Sequence, residues 1–174
     1  MTSDNFPEIA RDANDFVDRI HEMNTVFSLP SPEKIVDHGR TRLSQFHNTI
    51  RDEFDELTAI LEELELQSES LDQFARERPP LNTLLNKPHM VAFSDWLADI
   101  VVFCFSEAGR WGIPLVEVLH VVMDSQNSKL VDGKPIFDHQ RKFLKGPNYV
   151  PPEPRIAEIV DRDYLGPYVN PLHD

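Results

Sequence analysis

The sequence predicts an all-α protein: a four-helix-bundle-like core over about residues 8–130, followed by a long, proline-rich C-terminal tail over 131–174. Three observations predict it. Apolar residues recur at three- and four-residue spacing through the first 130 positions, and no segment alternates apolar and polar residues over a strand's length. The last stretch carries Pro135, Pro147, Pro151, Pro152, Pro154, Pro167 and Pro171, which interrupt any regular element. With 174 residues and 40% hydrophobic content, the chain reads as a single domain, 1–174, with a sizeable core.

The first helix is expected at about 8–27, where Phe16, Ile20, Met23 and Phe27 form one apolar stripe. Leu29, Pro30, Ser31 and Pro32 end it. Ser31 then reads as an N-cap with Pro32 at the first helical position, opening a long helical region to about Leu66 with an interruption near Gly39. A polar, proline-punctuated connector follows, up to about Pro88. The third helix, about 90–110, is apolar on most faces and is ended by Gly109, Gly112 and Pro114; a fourth runs from there to about Leu130. The tail holds one short helix around 155–162.

Charge and cysteine usage narrow the function classes. A formal net charge of −13 argues against a general nucleic-acid binder, whose affinity rests on clustered Lys and Arg. The start of the chain has neither a basic segment nor a signal-length apolar run, and no uninterrupted apolar run approaches the roughly 18 residues of a membrane span. A soluble cytoplasmic protein without a membrane partner is the expectation. Cys104 has no second thiol to pair with and reads as buried bulk. Acidic residues crowd 52–77, whereas 129–147 carries Lys129, Lys134, Arg141, Lys142 and Lys145 against Asp132 and Asp138. A positive segment in an acidic protein suggests a specific anion site.

Two acidic pairs carry the chemistry. Glu53 and Glu56 stand three apart, and Asp95 and Asp99 four apart, so each pair shares one helical face. Phe54, Leu57 and Leu61 are expected to supply the core-facing side next to the first pair. Asp99 is followed by six uncharged residues, Ile100 to Phe105, which makes simple solvation a poor account of it. Carboxylates crowded on a partly buried helix resist ionising together unless a cation compensates them, and magnesium is the usual hard cation where phosphate is the other partner.

A Glu-x-x-Glu helix, a later helix with Asp95 and Asp99 before an apolar run, and a following helix ending in Asn127 and Lys129 together resemble the MazG-like all-α nucleotide pyrophosphatases. The stretches LADIVVFCFSEAGRWGIPLVEVLHVVMDSQNSKLVDGKP and KFLKGPNYVPPEP are similar to a bacterial and phage branch of the phosphoribosyl-ATP pyrophosphohydrolase-like group. The likeness covers about 8–154, with specific signals at 50–60 and 93–152. It implies a magnesium-dependent hydrolase, with manganese able to substitute and two or more ions per site, that cleaves a nucleoside triphosphate to the monophosphate and pyrophosphate. Metal-activated water would attack the α-phosphorus in line, suited to a site that neutralises charge on both attacked and leaving oxygens.

The resemblance carries the metal role onto Glu53, Glu56 and Asp99, with Glu53 or Glu56 orienting or deprotonating the water. Many relatives place Glu three before the aspartate; Trp96 stands there, so Asp95 has to serve from one residue earlier. Asp124 is a further metal candidate. Lys129 and Lys145 would clamp the leaving phosphates, and either Gln126 or Asn127 takes the place of the relatives' asparagine. Trp96 for base stacking, His21 and Asn24 for the base pocket and Tyr149 for closing the site complete the substrate candidates, each with a packing or surface role as its bland counterpart. Deoxyguanosine or guanosine triphosphate is the first-choice substrate, dimers or tetramers the implied assembly, and host cytoplasm the location if the chain is phage-encoded. Two other readings stand beside this one: a non-catalytic acidic helical adaptor, and a di-iron protein using the Glu117-x-x-His120 step, of which the chain has one copy.

Overall fold

The computed structural model describes residues 13–72 and 85–169, and side chains within 16–65 and 85–169. Among them the protein is mostly helical, as the apolar periodicity predicts: α1 (Ala13–Val26), α2 (Gly39–Asp72), α3 (Lys87–Trp111), α4 (Leu115–Asn127) and α5 (Glu153–Asp163). The parts of the first helix and of the connector that fall at 8–12 and 73–84 lie outside the described residues. Two compact units emerge, one of residues up to Asp37 together with Ala108 onward, the other of His38–Glu107.

Two expectations are corrected in the first unit. The long helix does not open at Ser31 and Pro32; Ile35–Asp37 form a strand, β1, and α2 begins only at Gly39, whose φ of +74° breaks any helix entering from the N-terminal side. Nor is the tail free of strands. β2 (Tyr164–Pro167) pairs in parallel with β1, matching Ile35 to Tyr164 and Val36 to Gly166, with Tyr168 N donating to Asp37 O at 2.8 Å. Two strands this short leave almost no alternating pattern to read, and their partners stand some 130 residues apart.

The buried apolar residues Ile20, Ile35, Val36, Ala108, Val121 and Ile159 all belong to this first unit. Arg162 on α5 grips both Glu117 oxygens on α4 at 2.9 and 2.8 Å and also bonds Asp163, whose other oxygen accepts from Lys34. At Gly112, φ is +65° and a Cβ would sit 2.1 Å from the Lys34 carbonyl oxygen, so glycine is required where the end of α3 crosses the 32–34 loop.

The second unit is a helical hairpin. Arg42 pairs with Glu107, Trp96 with the Glu53 carbonyl and His89 with Glu63, so residue numbers fall along α3 as they rise along α2 and the helices run antiparallel. Asn86 caps α3, its Oδ1 accepting from His89 N at 3.0 Å, with Pro88 in the first turn. The face of α2 turned to α3 is not the Phe54 and Leu61 face; each of those side chains is 53% exposed, whereas Glu53 is buried. The apolar arc of α2 is wider than one neighbouring helix covers. α3 also has the length and apolarity to cross a membrane, mean hydropathy 1.4 over its best window, a property core helices of soluble proteins share.

Candidate metal and substrate site

Trp96 fixes the centre of the hairpin. Its Nε1 donates to the Glu53 carbonyl at 2.7 Å, Phe93 stacks near its ring at 6.0 Å and 13°, and Phe54 meets it edge-on. The indole therefore locks the turn of α2 that carries Glu53 against the turn of α3 that carries Asp95 and Asp99. The packing role of Trp96 is shown; its ring N–H is already spent on the backbone.

Glu53 is buried at 8% exposure, and its Oε2 has no hydrogen-bond partner among the described residues. Glu56, one turn on, is exposed; Asp99 is half-buried and Asp95 exposed. Burial raises the Glu53 pKa above the ordinary glutamate value, and the negative charges of Glu56, Asp99, Asp52 and Asp95 raise it further. Both acidic pairs thus act on one buried carboxylate. Asp52 is the member that spacing arguments missed, because an aspartate beside Glu53 in an acidic run carries no signal of its own.

A buried carboxylate oxygen without a donor, among other carboxylates, is the environment a hard cation relieves, and the all-oxygen donor set suits magnesium or manganese. The side chains as they stand do not converge tightly: among the described residues no three His, Cys, Asp or Glu groups are disposed to hold a metal ion. The fit is one of donor chemistry and charge.

No family model matches the chain, and no curated protein matches it significantly.

The remaining candidates lie in the first unit. Lys129 Nζ donates to Gln126 Oε1 at 2.6 Å and lies over the rings of Phe143 and Tyr149; Lys145 Nζ sits 4.2 Å from the Tyr149 centroid. Two ammonium groups thus share one aromatic ring, while Asn127 is exposed beside them. Gly146 makes this possible: its N–H donates to Lys129 O at 3.1 Å, and a Cβ there would lie 2.8 Å from that oxygen. The close approach at Gly146 is to the chain's own backbone.

Asp124 is held by Arg155 at 3.0 Å. Asn24 is fully buried, its amide nitrogen 3.3 Å from where a Gly109 Cβ would stand, so the surface role considered for it does not apply; His21 is exposed. Glu117 is occupied by Arg162, which lowers its pKa, and His120 is exposed.

Proposed function

We propose that this chain is a magnesium-dependent nucleoside triphosphate diphosphohydrolase of the MazG-like all-α superfamily, acting on a nucleoside triphosphate, first choice dGTP or GTP, to give the monophosphate and pyrophosphate. The observation that carries the reading is the buried Glu53 carboxylate, whose Oε2 has no hydrogen-bond partner among the described residues, with Glu56, Asp95 and Asp99 acting on it. Magnesium held by these residues would neutralise charge on the phosphates and lower the pKa of a water. Glu53, with its raised pKa, suits the task of orienting that water and taking its proton. Trp96 keeps the two acidic turns in register. In the first unit, Lys129 and Lys145 offer paired positive charge of the kind that phosphate oxygens accept.

The test is hydrolysis of each common ribo- and deoxyribonucleoside triphosphate with magnesium, products identified by chromatography. Pyrophosphate and the monophosphate are expected from at least one of them, with manganese substituting. Orthophosphate as the primary product rejects attack at the α-phosphorus, and no turnover of any triphosphate returns the protein to the adaptor reading.

A further inference from the structure

After α4, in the first unit, residues 135–145 fold back on themselves as a short β-hairpin. Leu144 N donates to Ile136 O at 2.9 Å, and Asp138 N to Lys142 O at 3.0 Å. Residues 139–141 make the turn, with Arg141 at a φ of +62°, the left-handed residue that closes a three-residue loop. Phe137 and Phe143 stand opposite each other, so their rings share one face, with centroids 5.8 Å apart. Strand alternation puts Lys145 on that face as well. From Phe143 the face continues into Lys129, whose Nζ lies 5.8 Å from that ring and 5.9 Å from the ring of Tyr149, with Lys145 Nζ 4.2 Å from Tyr149 on its own account. Rings and ammonium groups thus alternate along one stripe.

The stripe is held in place before any ligand arrives. Asp138 Oδ1 accepts from Gln140 N at 2.9 Å and Lys142 N at 2.8 Å, which fixes the turn and occupies the β-hairpin's own carboxylate. At the other end, Gly146 N bonds Lys129 O, and Ser128 Oγ accepts from Val150 N at 2.9 Å while donating to Ser125 O. The β-hairpin is therefore stapled to the last turn of α4.

Two observations define the ligand. Arg42, Arg155 and Arg162 each face a carboxylate, whereas among the described residues Lys129 and Lys145 form no ion pair, and Lys129 bonds the neutral amide of Gln126. Two uncompensated ammonium groups against one ring call for an anion with more than one charge. Beside them Phe137 and Phe143, 56% and 37% exposed, offer a flat apolar surface that suits the face of a planar ring. A base joined to phosphates meets both demands in one molecule.

We propose that this stripe binds a nucleotide without metal, the base stacked on Phe137 and Phe143 and the phosphates on Lys129 and Lys145. The proposal deepens the hydrolase reading, on which it rests only for the ligand's being the substrate. Every base has a π-face, so this contact retains nucleotides as a class and does not choose among bases.

Calorimetric titration of the full chain in chelator with GTP, and separately with inorganic tripolyphosphate, tests it. GTP is expected to bind about tenfold or more tighter than tripolyphosphate, the size of one stacking contact. Phe137→Leu and Phe143→Leu should each remove most of that advantage while leaving tripolyphosphate binding and helical circular dichroism unchanged. Phe137→Trp should keep it, a rescue that general damage to the β-hairpin would not give. Lys145→Ala should weaken both ligands. Equal binding of the two ligands by wild type overturns the proposal, as does binding of neither, or GTP affinity indifferent to both leucine substitutions. So does a short oligothymidylate that binds tighter than GTP through the same phenylalanines, which would make the stripe a single-strand surface. Metal-free stacking without turnover in magnesium would defeat the hydrolase reading alone, and turnover with GTP affinity untouched by the leucine substitutions would defeat this one alone.

Discussion

The surroundings of Glu53 disfavour its ionised form, and two measurements follow from that. Its pKa is raised in the folded state, first by burial and then by neighbouring carboxylates, so the folded protein binds this proton more tightly than the unfolded chain. The contribution of Glu53 to stability in the absence of metal is therefore greatest below the ordinary glutamate pKa and is lost as pH rises from there through the raised value. Glu53→Gln should melt higher than wild type at neutral pH in chelator, with the gap closing towards acid pH; an unchanged difference across that range would show that the carboxylate is not strained. In turnover the order reverses. Glu53→Gln, Glu56→Gln and Asp99→Asn are each expected to lower kcat by a factor on the order of 100 or more with helical content intact, and near-normal activity of Asp99→Asn would remove it from the site.

Two glycines set close backbone crossings in the first unit. Gly112→Ala would drive a Cβ into the Lys34 carbonyl at a positive φ, so a loss of more than about 1 kcal/mol is expected in denaturant unfolding; an unchanged midpoint would mean that the crossing is looser than its geometry. The loop carrying Lys145 depends in the same way on Gly146, which packs on the Lys129 carbonyl. Lys129→Ala or Lys145→Ala should reduce kcat/KM by about tenfold to more than a hundredfold, the size of a charge-assisted phosphate contact of roughly 1.5–3 kcal/mol. Repeating the comparison in high salt separates contact from steering: a deficit that vanishes means only long-range attraction, and a persistent one places the ammonium group at the phosphates.

Across the whole molecule, acid acts in opposite directions on the two units. In the first, Arg162 holds Glu117 and Asp163 below their ordinary values, so their contribution is present at neutral pH and is lost as pH falls through those lowered values. In the second, the same change relieves Glu53. Melts with chelator from neutral to acid pH should accordingly show Arg162→Ala destabilised mainly at the neutral end, with its deficit shrinking in acid. A deficit that is constant with pH would mean that Arg162 acts through packing alone.

The helices, the acidic pairs and the basic loop were legible in the sequence because each rests on local spacing: Phe16 and Ile20 on one face of α1, Glu53 three before Glu56, Asp95 four before Asp99. Local periodicity gives the position of a side chain around its own helix and no more. Which part of the broad apolar arc of α2 meets α3, and hence that Glu53 is buried while Phe54 and Leu61 stay about half exposed, was decided by tertiary packing through the Trp96 bond to the Glu53 carbonyl. The pairing of Ile35–Asp37 with Tyr164–Pro167 was decided the same way, since neither short segment can form a strand without the other and nothing in the intervening chain announces the partner.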